Sequence, residues 1–264
     1  MKVYEKMPAE AVVKQDLDNQ KRLASPSGPP SLRQDVIQGR SCHLSLGSAK
    51  FRAVIFDMDG LSIDTEPGFI LAWRQAAAAF GVQLDDRFVG SLSGLKSEDI
   101  EAALQKAIGG GYNAERFRKL ARNHWLNHME SAGLQPMPGL LDLLELLERK
   151  GICYALATNS DEANTVQCLR RSGLENRFPV VVTRDQVPLG KPEPDLFVLA
   201  ASLLGVPASE CLVMEDSAIG LLAASRAGAI AVLVKTQPPE ASLRLAAMAY
   251  RTLVEVAESI SHFA

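Results

Sequence analysis

Four short stretches of this sequence carry side chains suited to a phosphate and a divalent cation, and they recur in order along the chain. Asp57 and Asp59, one residue apart and followed by Gly60, close the largely apolar run Phe51-Arg52-Ala53-Val54-Ile55-Phe56. Thr158-Asn159-Ser160 follows Ile152 to Ala157, Lys191 stands in the stiff segment Gly190-Lys191-Pro192-Glu193-Pro194-Asp195, and Glu215-Asp216 follows Cys211 to Met214. Asp57 and Asp216 offer hard oxygen ligands for magnesium, which binds through one or two carboxylates, waters and the phosphate oxygens of a substrate. With a metal relieving its repulsion toward the incoming anion, Asp57 can attack phosphorus, because carboxylates form aspartyl-phosphate intermediates. Asp59, one dipeptide step away, can protonate the leaving oxygen and later take a proton from water. The Thr158 hydroxyl and the backbone amides around Asn159, at a helix amino terminus, can hold phosphate oxygens. Lys191 supplies a point charge as charge redistributes in the transition state.

These residues need a scaffold that brings distant stretches together. Ala53 to Phe56 are apolar without alternation, the pattern of a strand covered on both faces in a parallel sheet. Ligands of such sheets sit at the carboxyl ends of the strands. Side chains repeat every second residue, so Asp57 and Asp59 would emerge on one side, and Gly60 permits a sharp turn. After Pro67 the pattern is helical to about Pro136, with Ser97 and Asn113 as helix caps and Gly133 as a stop. Beyond Pro136-Met137-Pro138-Gly139, helices alternate with strands at Ile152 to Ala157, Val180 to Thr183, Cys211 to Met214 and Ile230 to Val234. Such alternation predicts an α/β fold: a doubly wound, Rossmann-like parallel sheet with a small all-helical cap domain inserted after the first strand. The expected core is 51–65 with 137–264, and the expected cap 66–136. Residues 1–50, with their Ser25-Pro26-Ser27-Gly28-Pro29-Pro30-Ser31 run, are expected to form a flexible extension carrying a short helix near Pro8 to Lys21. One or two polar-faced helices are expected over 238–264.

With 264 residues and 47% hydrophobic content, the chain can bury a sizeable core. Lysine and arginine total 28 against 31 acidic residues, so the balance calls for no nucleic acid partner. Cys42, Cys153, Cys168 and Cys211 form no CxxC pair, no apolar run reaches membrane-spanning length, and Glu5, Glu10, Asp16 and Asp18 argue against a transit peptide. The expectation is a soluble cytoplasmic protein, monomeric, with no membrane partner.

The four stretches resemble the motifs of the haloacid dehalogenase-like hydrolases, in the subgroup with a helical cap that includes small-molecule phosphatases and beta-phosphoglucomutase. The first motif is similar to Asp57-Met58-Asp59-Gly60 with Ile63-Asp64-Thr65-Glu66-Pro67, the second to Thr158, the third to Lys191 and the fourth to Glu215-Asp216-Ser217. The resemblance, spanning about residues 51–235, implies Asp57 as the phosphorylated nucleophile and Asp59 as acid and base. It implies magnesium held by Asp57, Asp216 and the backbone carbonyl of Asp59, with Glu215 supporting the metal's waters. It further implies that Gly90-Ser91-Leu92-Ser93-Gly94-Leu95-Lys96 is a specificity loop in which Lys96 meets the substrate. Two departures stand out: Ser62 replaces a bulky apolar residue, which would loosen the turn, and Gly68-Phe69 lie near where the mutase carries a histidine.

Each stretch alone has a plainer account. A single Asp-x-Asp after a strand is more often a turn, Thr158 a helix cap, Lys191 a solvated loop lysine and Glu215-Asp216 a polar strand exit. Four such coincidences in one order are far less probable than one site. His124 and His128 share a helix face without completing HExxH, and Trp73 and Trp125 lack a surrounding basic cluster, so both pairs read as cap packing. The expected activity is magnesium-dependent hydrolysis of a small phosphorylated metabolite such as a sugar phosphate. A phosphosugar mutase and a non-catalytic phosphometabolite-binding protein are the alternatives.

Overall fold

The computed structural model describes residues 44–46, 49–92 and 97–262, all within the unit Val36–Ala264. The expected Pro8 to Lys21 helix and Lys96 lie outside the described residues. Strands β1 (Leu44–Leu46) and β2 (Ala49–Phe51) pair antiparallel, so regular structure begins before residue 51, where the extension was expected to end. Leu46 and Phe51 are fully buried, which anchors this ribbon to the core. A break at Arg52 separates it from β3 (Ala53–Phe56), whose four residues are all buried.

The insert follows as α1 (Glu66–Ala78), α2 (Asp86–Ser91), α3 (Ser97–Ile108) and α4 (Ala114–Ala132). Asp85 caps α2 by accepting from the Phe88 amide at 2.6 Å, and Asn113 caps α4 through the Arg116 amide at 2.8 Å. Helix α2 was not expected, and it takes Gly90 and Ser91 out of the supposed specificity loop. Ala76, Ala77, Leu84, Val89, Leu92, Leu104, Phe117 and Ala121 give the insert its own core. The small Ala76 and Ala77 sit where α1 packs on α4.

The chain returns through α5 (Leu140–Lys150), β4 (Cys153–Ala157), α6 (Glu162–Arg171), β5 (Val180–Val182), α7 (Asp195–Leu204), β6 (Cys211–Glu215), α8 (Ala218–Arg226) and β7 (Ile230–Val234). It ends in α9 (Glu240–Leu243), β8 (Met248–Tyr250) and α10 (Leu253–His262). The sheet order is β5-β4-β3-β6-β7-β8, every neighbour parallel. The first strand therefore lies centrally, and the order reverses beside it, the place where doubly wound sheets bind ligands. Strand β8 was missed in the sequence: it is a short edge strand, half-exposed and without a clear apolar pattern.

Alternation divides the core. Val54, Phe56, Tyr154, Leu156, Leu212 and Met214 face a layer with Leu140, Leu143, Leu147, Val256 and Ile260 of α5 and α10. Ala53, Ile55, Ala155, Ala157, Val213 and Leu233 face Leu196, Phe197, Ala200 and Leu221 of α7 and α8. The two chain crossings between sheet and insert also pair: Ile63 bridges Pro136, the Asp64 amide donates to Gln135 O at 2.9 Å, and the Met137 amide donates to Ser62 O at 2.9 Å. No described helix is long and apolar enough to cross a membrane.

Candidate active site

Register sets the site. Phe56 lies opposite Leu156 on one side and Met214 on the other, so β3, β4 and β6 end within one residue of one another. Asp57, Thr158 and Glu215 consequently leave the sheet as neighbours, and the Asp57 amide still donates to Met214 O at 3.0 Å. Beyond Asp57 the chain folds into a tight turn, with the Ser62 and Ile63 amides donating to Met58 O at 2.9 and 3.0 Å and Gly60 at φ +79°. Ser62 does not loosen this turn. It is fully buried, and its hydroxyl donates to Asp57 O at 2.5 Å, tying the turn to the residue it must hold.

Lys191 comes from the loop after β5 and is buried at the centre. Its ammonium donates to Asp57 Oδ1, to Glu215 Oε1 at 2.6 Å and to Ala157 O at 3.0 Å, and lies 4.9 Å from the centroid of the Phe197 ring. The Lys191–Pro192 peptide is cis. Asn159 clamps this loop: its Oδ1 accepts from the Lys191 amide at 2.8 Å and its Nδ2 donates to Lys191 O at 3.2 Å. The Asn159 side chain is thus engaged with the loop rather than offered to a ligand.

Glu215 is fully buried, and its Oε2 accepts from the Ser217 hydroxyl at 2.8 Å while Ser217 Oγ accepts from the Gly220 amide at 3.1 Å, capping α8. Gly220 has no side chain because the Glu215 carboxylate occupies the space where a Cβ would stand. Asp216 pairs with Lys235 Nζ at 3.0 Å. Asp59 Oδ2 accepts from the Ser160 hydroxyl at 3.0 Å and the Thr158 hydroxyl at 3.5 Å, and the buried Thr65 hydroxyl also favours its ionised form.

Electrostatics follow from this crowding. Burial, then Glu215, pushes the Asp57 carboxyl well above the usual carboxylate range, with Lys191 pulling the other way. Burial raises Asp59 too, opposed chiefly by its hydrogen bonds from Ser160 and Thr65. Asp216 is pushed up to about 6 by burial and by Glu215, against the pull of Lys235. Burial pulls Lys191 down, but Asp57 and Glu215 outweigh it and hold the ammonium charged.

The carboxylates of Asp57, Glu215 and Asp216 offer ligand atoms within 4.8 Å of one another, which makes them the one such acidic group among the described residues. Counting Asp59, four carboxylates here face the two ammonium groups of Lys191 and Lys235. When all are ionised the excess is two negative charges, which a divalent cation would neutralise, and the donors are all hard oxygens. The residues therefore fit a metal ion of that kind.

The structure brings together Asp57, Asp59, Thr158, Asn159, Lys191, Glu215 and Asp216 as the sequence predicts. Thr65, Ser160 and Ser217 stand within the stretches that the sequence singles out but carry no individual role there, and Lys235 lies outside them. Lys235 follows directly after β7, so the rule that ligands gather at strand carboxyl ends points to it as well. A cavity of about 480 Å³ lies between the insert and the segment from Asn159 to Asn164, walled by Phe69, Trp73, Tyr112 and Trp125 together with Ser160 and Asn164. Phe69 stacks on Trp125 at 4.1 Å, and His128 lies against the same indole.

A family model described as haloacid dehalogenase-like hydrolase matches residues 51–228. The chain is 35% identical to a phosphorylated carbohydrates phosphatase of Thermotoga maritima over 67% of its own length and 81% of that protein's. It is 33% identical to beta-phosphoglucomutase of Bacillus subtilis, over 71% of its length and 85% of the other's. A solved hydrolase of Deinococcus radiodurans R1, with bound phosphate and sodium, superposes with a TM-score of 0.65 at 26% identity, covering 80% of this chain and 98% of that one.

Proposed function

From the premise that the chain belongs to the haloacid dehalogenase-like hydrolases, we propose that it is a magnesium-dependent phosphatase of small phosphorylated metabolites, sugar phosphates among them, working through an aspartyl-phosphate at Asp57. The observation that carries this reading is the buried contact of Lys191 with both Asp57 and Glu215, where Asp57 stands two residues before an Asp59 held by hydroxyls. Asp57 and Asp216 would hold the metal, with Glu215 behind them. A bound divalent cation supplies positive charge that keeps its carboxylate ligands ionised and offsets the negative charge of an incoming phosphate.

The chain's own residues do the rest. A carboxylate oxygen of Asp57 forms a bond to phosphorus as the ester P–O bond breaks, and the departing oxygen takes a proton from Asp59. Burial favours the protonated form of Asp59 that this step needs. Asp59, now ionised, accepts a proton from the water that hydrolyses the aspartyl-phosphate. Lys191, fixed by three acceptors, keeps a positive charge beside Asp57 without reorganising.

The test is release of phosphate from p-nitrophenyl phosphate by the purified full chain with magnesium, followed by a panel of sugar phosphates and phosphoglycolate. Wild type is expected to turn over, and Asp57→Asn to lose turnover while unfolding at a similar temperature. Phosphate release by that variant at the wild-type rate would exclude Asp57 as nucleophile. The mutase reading draws on the likeness to beta-phosphoglucomutase. Phe69 counts against it, since its ring stacks on Trp125 and has no proton to exchange. Isomerised sugar phosphate without free phosphate would favour the mutase instead.

A further inference from the structure

A continuous run of side-chain hydrogen bonds joins the insert to Asp59. Trp125, buried on α4, donates its indole Nε1 hydrogen to Asn164 Oδ1 on α6 at 3.0 Å. Asn164 Nδ2 donates to Ser160 Oγ at 3.3 Å, and Ser160 Oγ donates to Asp59 Oδ2 at 3.0 Å. The direction of the run follows from its first member. An indole N–H can only donate, so it selects the carbonyl end of the Asn164 amide and turns the amide hydrogens toward Ser160. The Ser160 oxygen then receives a hydrogen from Asn164, which leaves its own for Asp59. Asp59 Oδ1 has no hydrogen-bond partner, so the run acts on one carboxylate oxygen, and the carboxyl's orientation depends on the bonds to that oxygen.

We propose that Asn164 is a positioning residue, through which the seating of Trp125 sets the orientation of the Asp59 carboxyl. The proposal rests on the phosphatase reading, in which Asp59 protonates the leaving oxygen. Trp125, Ser160 and Asn164 all line the 480 Å³ cavity between the insert and the segment after β4, so the run spans the seam between them. When Trp125 is withdrawn the amide loses the donor that fixes it. A reversed amide would present its oxygen to Ser160 and compete with Asp59 for the hydroxyl hydrogen. Asp59 is then well held only when the insert is seated.

Two variants separate these effects. Asn164→Asp still accepts from Trp125 but cannot donate to Ser160, and it competes for the Ser160 hydrogen. Trp125→Phe keeps a ring but loses the N–H. The measurement is kcat/KM with magnesium for p-nitrophenyl phosphate and for phenyl phosphate, with thermal unfolding alongside. Phenolate is the poorer leaving group and depends more on the proton from Asp59. Asn164→Asp is expected to lower kcat/KM on phenyl phosphate about 10- to 100-fold and on p-nitrophenyl phosphate by less than about threefold. Trp125→Phe should shift the ratio in the same direction by a smaller factor, and the double variant should shift it no further than Asn164→Asp alone. Equal losses on both esters, or none, in folded Asn164→Asp would overturn the proposal, as would additive shifts of the ratio. If Asn164→Asp does not fold, the ratio for Trp125→Phe decides alone. Failure of the wild type to hydrolyse either ester would overturn the phosphatase reading itself, an outcome distinct from all of these.

Discussion

Lys191 is the cation that pairs with both Asp57 and Glu215, and its removal leaves those two carboxylates buried together without the counter-charge they share. Breaking a buried pair in this way costs about 3–5 kcal/mol. Lys191→Met is therefore expected to lose about 3 kcal/mol or more in chemical denaturation near neutral pH. Part of that loss should return when magnesium is added, since the cation replaces the missing charge. The wild-type site gives a pH effect of the opposite sense to ordinary acid denaturation. Asp216 rises from an ordinary 3.8 to about 6, so the folded state binds protons that the unfolded state has already released. Stability from this group is withheld above its folded pKa and restored as pH falls through 6 toward 4, on the order of 3 kcal/mol. Without magnesium, the site's contribution to the unfolding temperature is expected to grow from about pH 7 to pH 5, and added magnesium should stabilise most at the upper end, where it meets least competition from protons. A Tm gain from magnesium that is the same at both pH values would contradict this. The carboxylates were legible in the sequence because they follow apolar strands, and Lys191 because it stands in a stiff, proline-flanked segment. Asn164 was not, nor was the part of Ser160 beside Asp59, because hydroxyls and amides are common helix caps and only three-dimensional proximity to Asp59 distinguishes them.

The turn between β6 and α8 shows how closely an element can be fitted to a functional side chain. Replacing a helical glycine with alanine usually adds about 0.5–1 kcal/mol of stability. Gly220 lies within α8, yet a methyl group there would occupy the volume of the Glu215 carboxylate. Gly220→Ala is expected to destabilise by about 1–3 kcal/mol and to weaken magnesium binding, both measurable by thermal melts with and without the ion. Long elements were readable from pattern alone: α5 with its leucines at 140, 143, 144 and 147, and the unbroken apolar β3, β6 and β7. Several short ones were not, although the three-residue β5 was, from its run of valines. Helix α2 has six residues, β8 has three, and the β1–β2 ribbon has three in each strand, too few for a period to declare itself. Their positions are set by packing partners distant in sequence.

At the scale of the whole molecule, the ribbon before β3 tests where the fold begins. Leu46 and Phe51 are fully buried in the layer that also holds α5 and α10. A chain starting at Arg52 is expected to be about 3 kcal/mol or more less stable than one starting at Leu44, by urea unfolding. Equal stability would mean that the ribbon is ornamental. The paired crossings at Ile63 and Pro136 bear on a different property, the route by which the sheet assembles. Phe56 must find Leu156 across roughly a hundred residues, a separation that slows nucleation because loop entropy is spent before the contact forms. The intervening helices have their own apolar centre, and when they collapse they bring Ile63 and Pro136 together. The loop left to close is then only a few tens of residues long, a saving on the order of 1 kcal/mol in the barrier. Truncating Phe117 to alanine, inside the insert and far from β3, should thus slow refolding of the sheet itself, with the central strands acquiring their hydrogen-exchange protection later than in the parent chain.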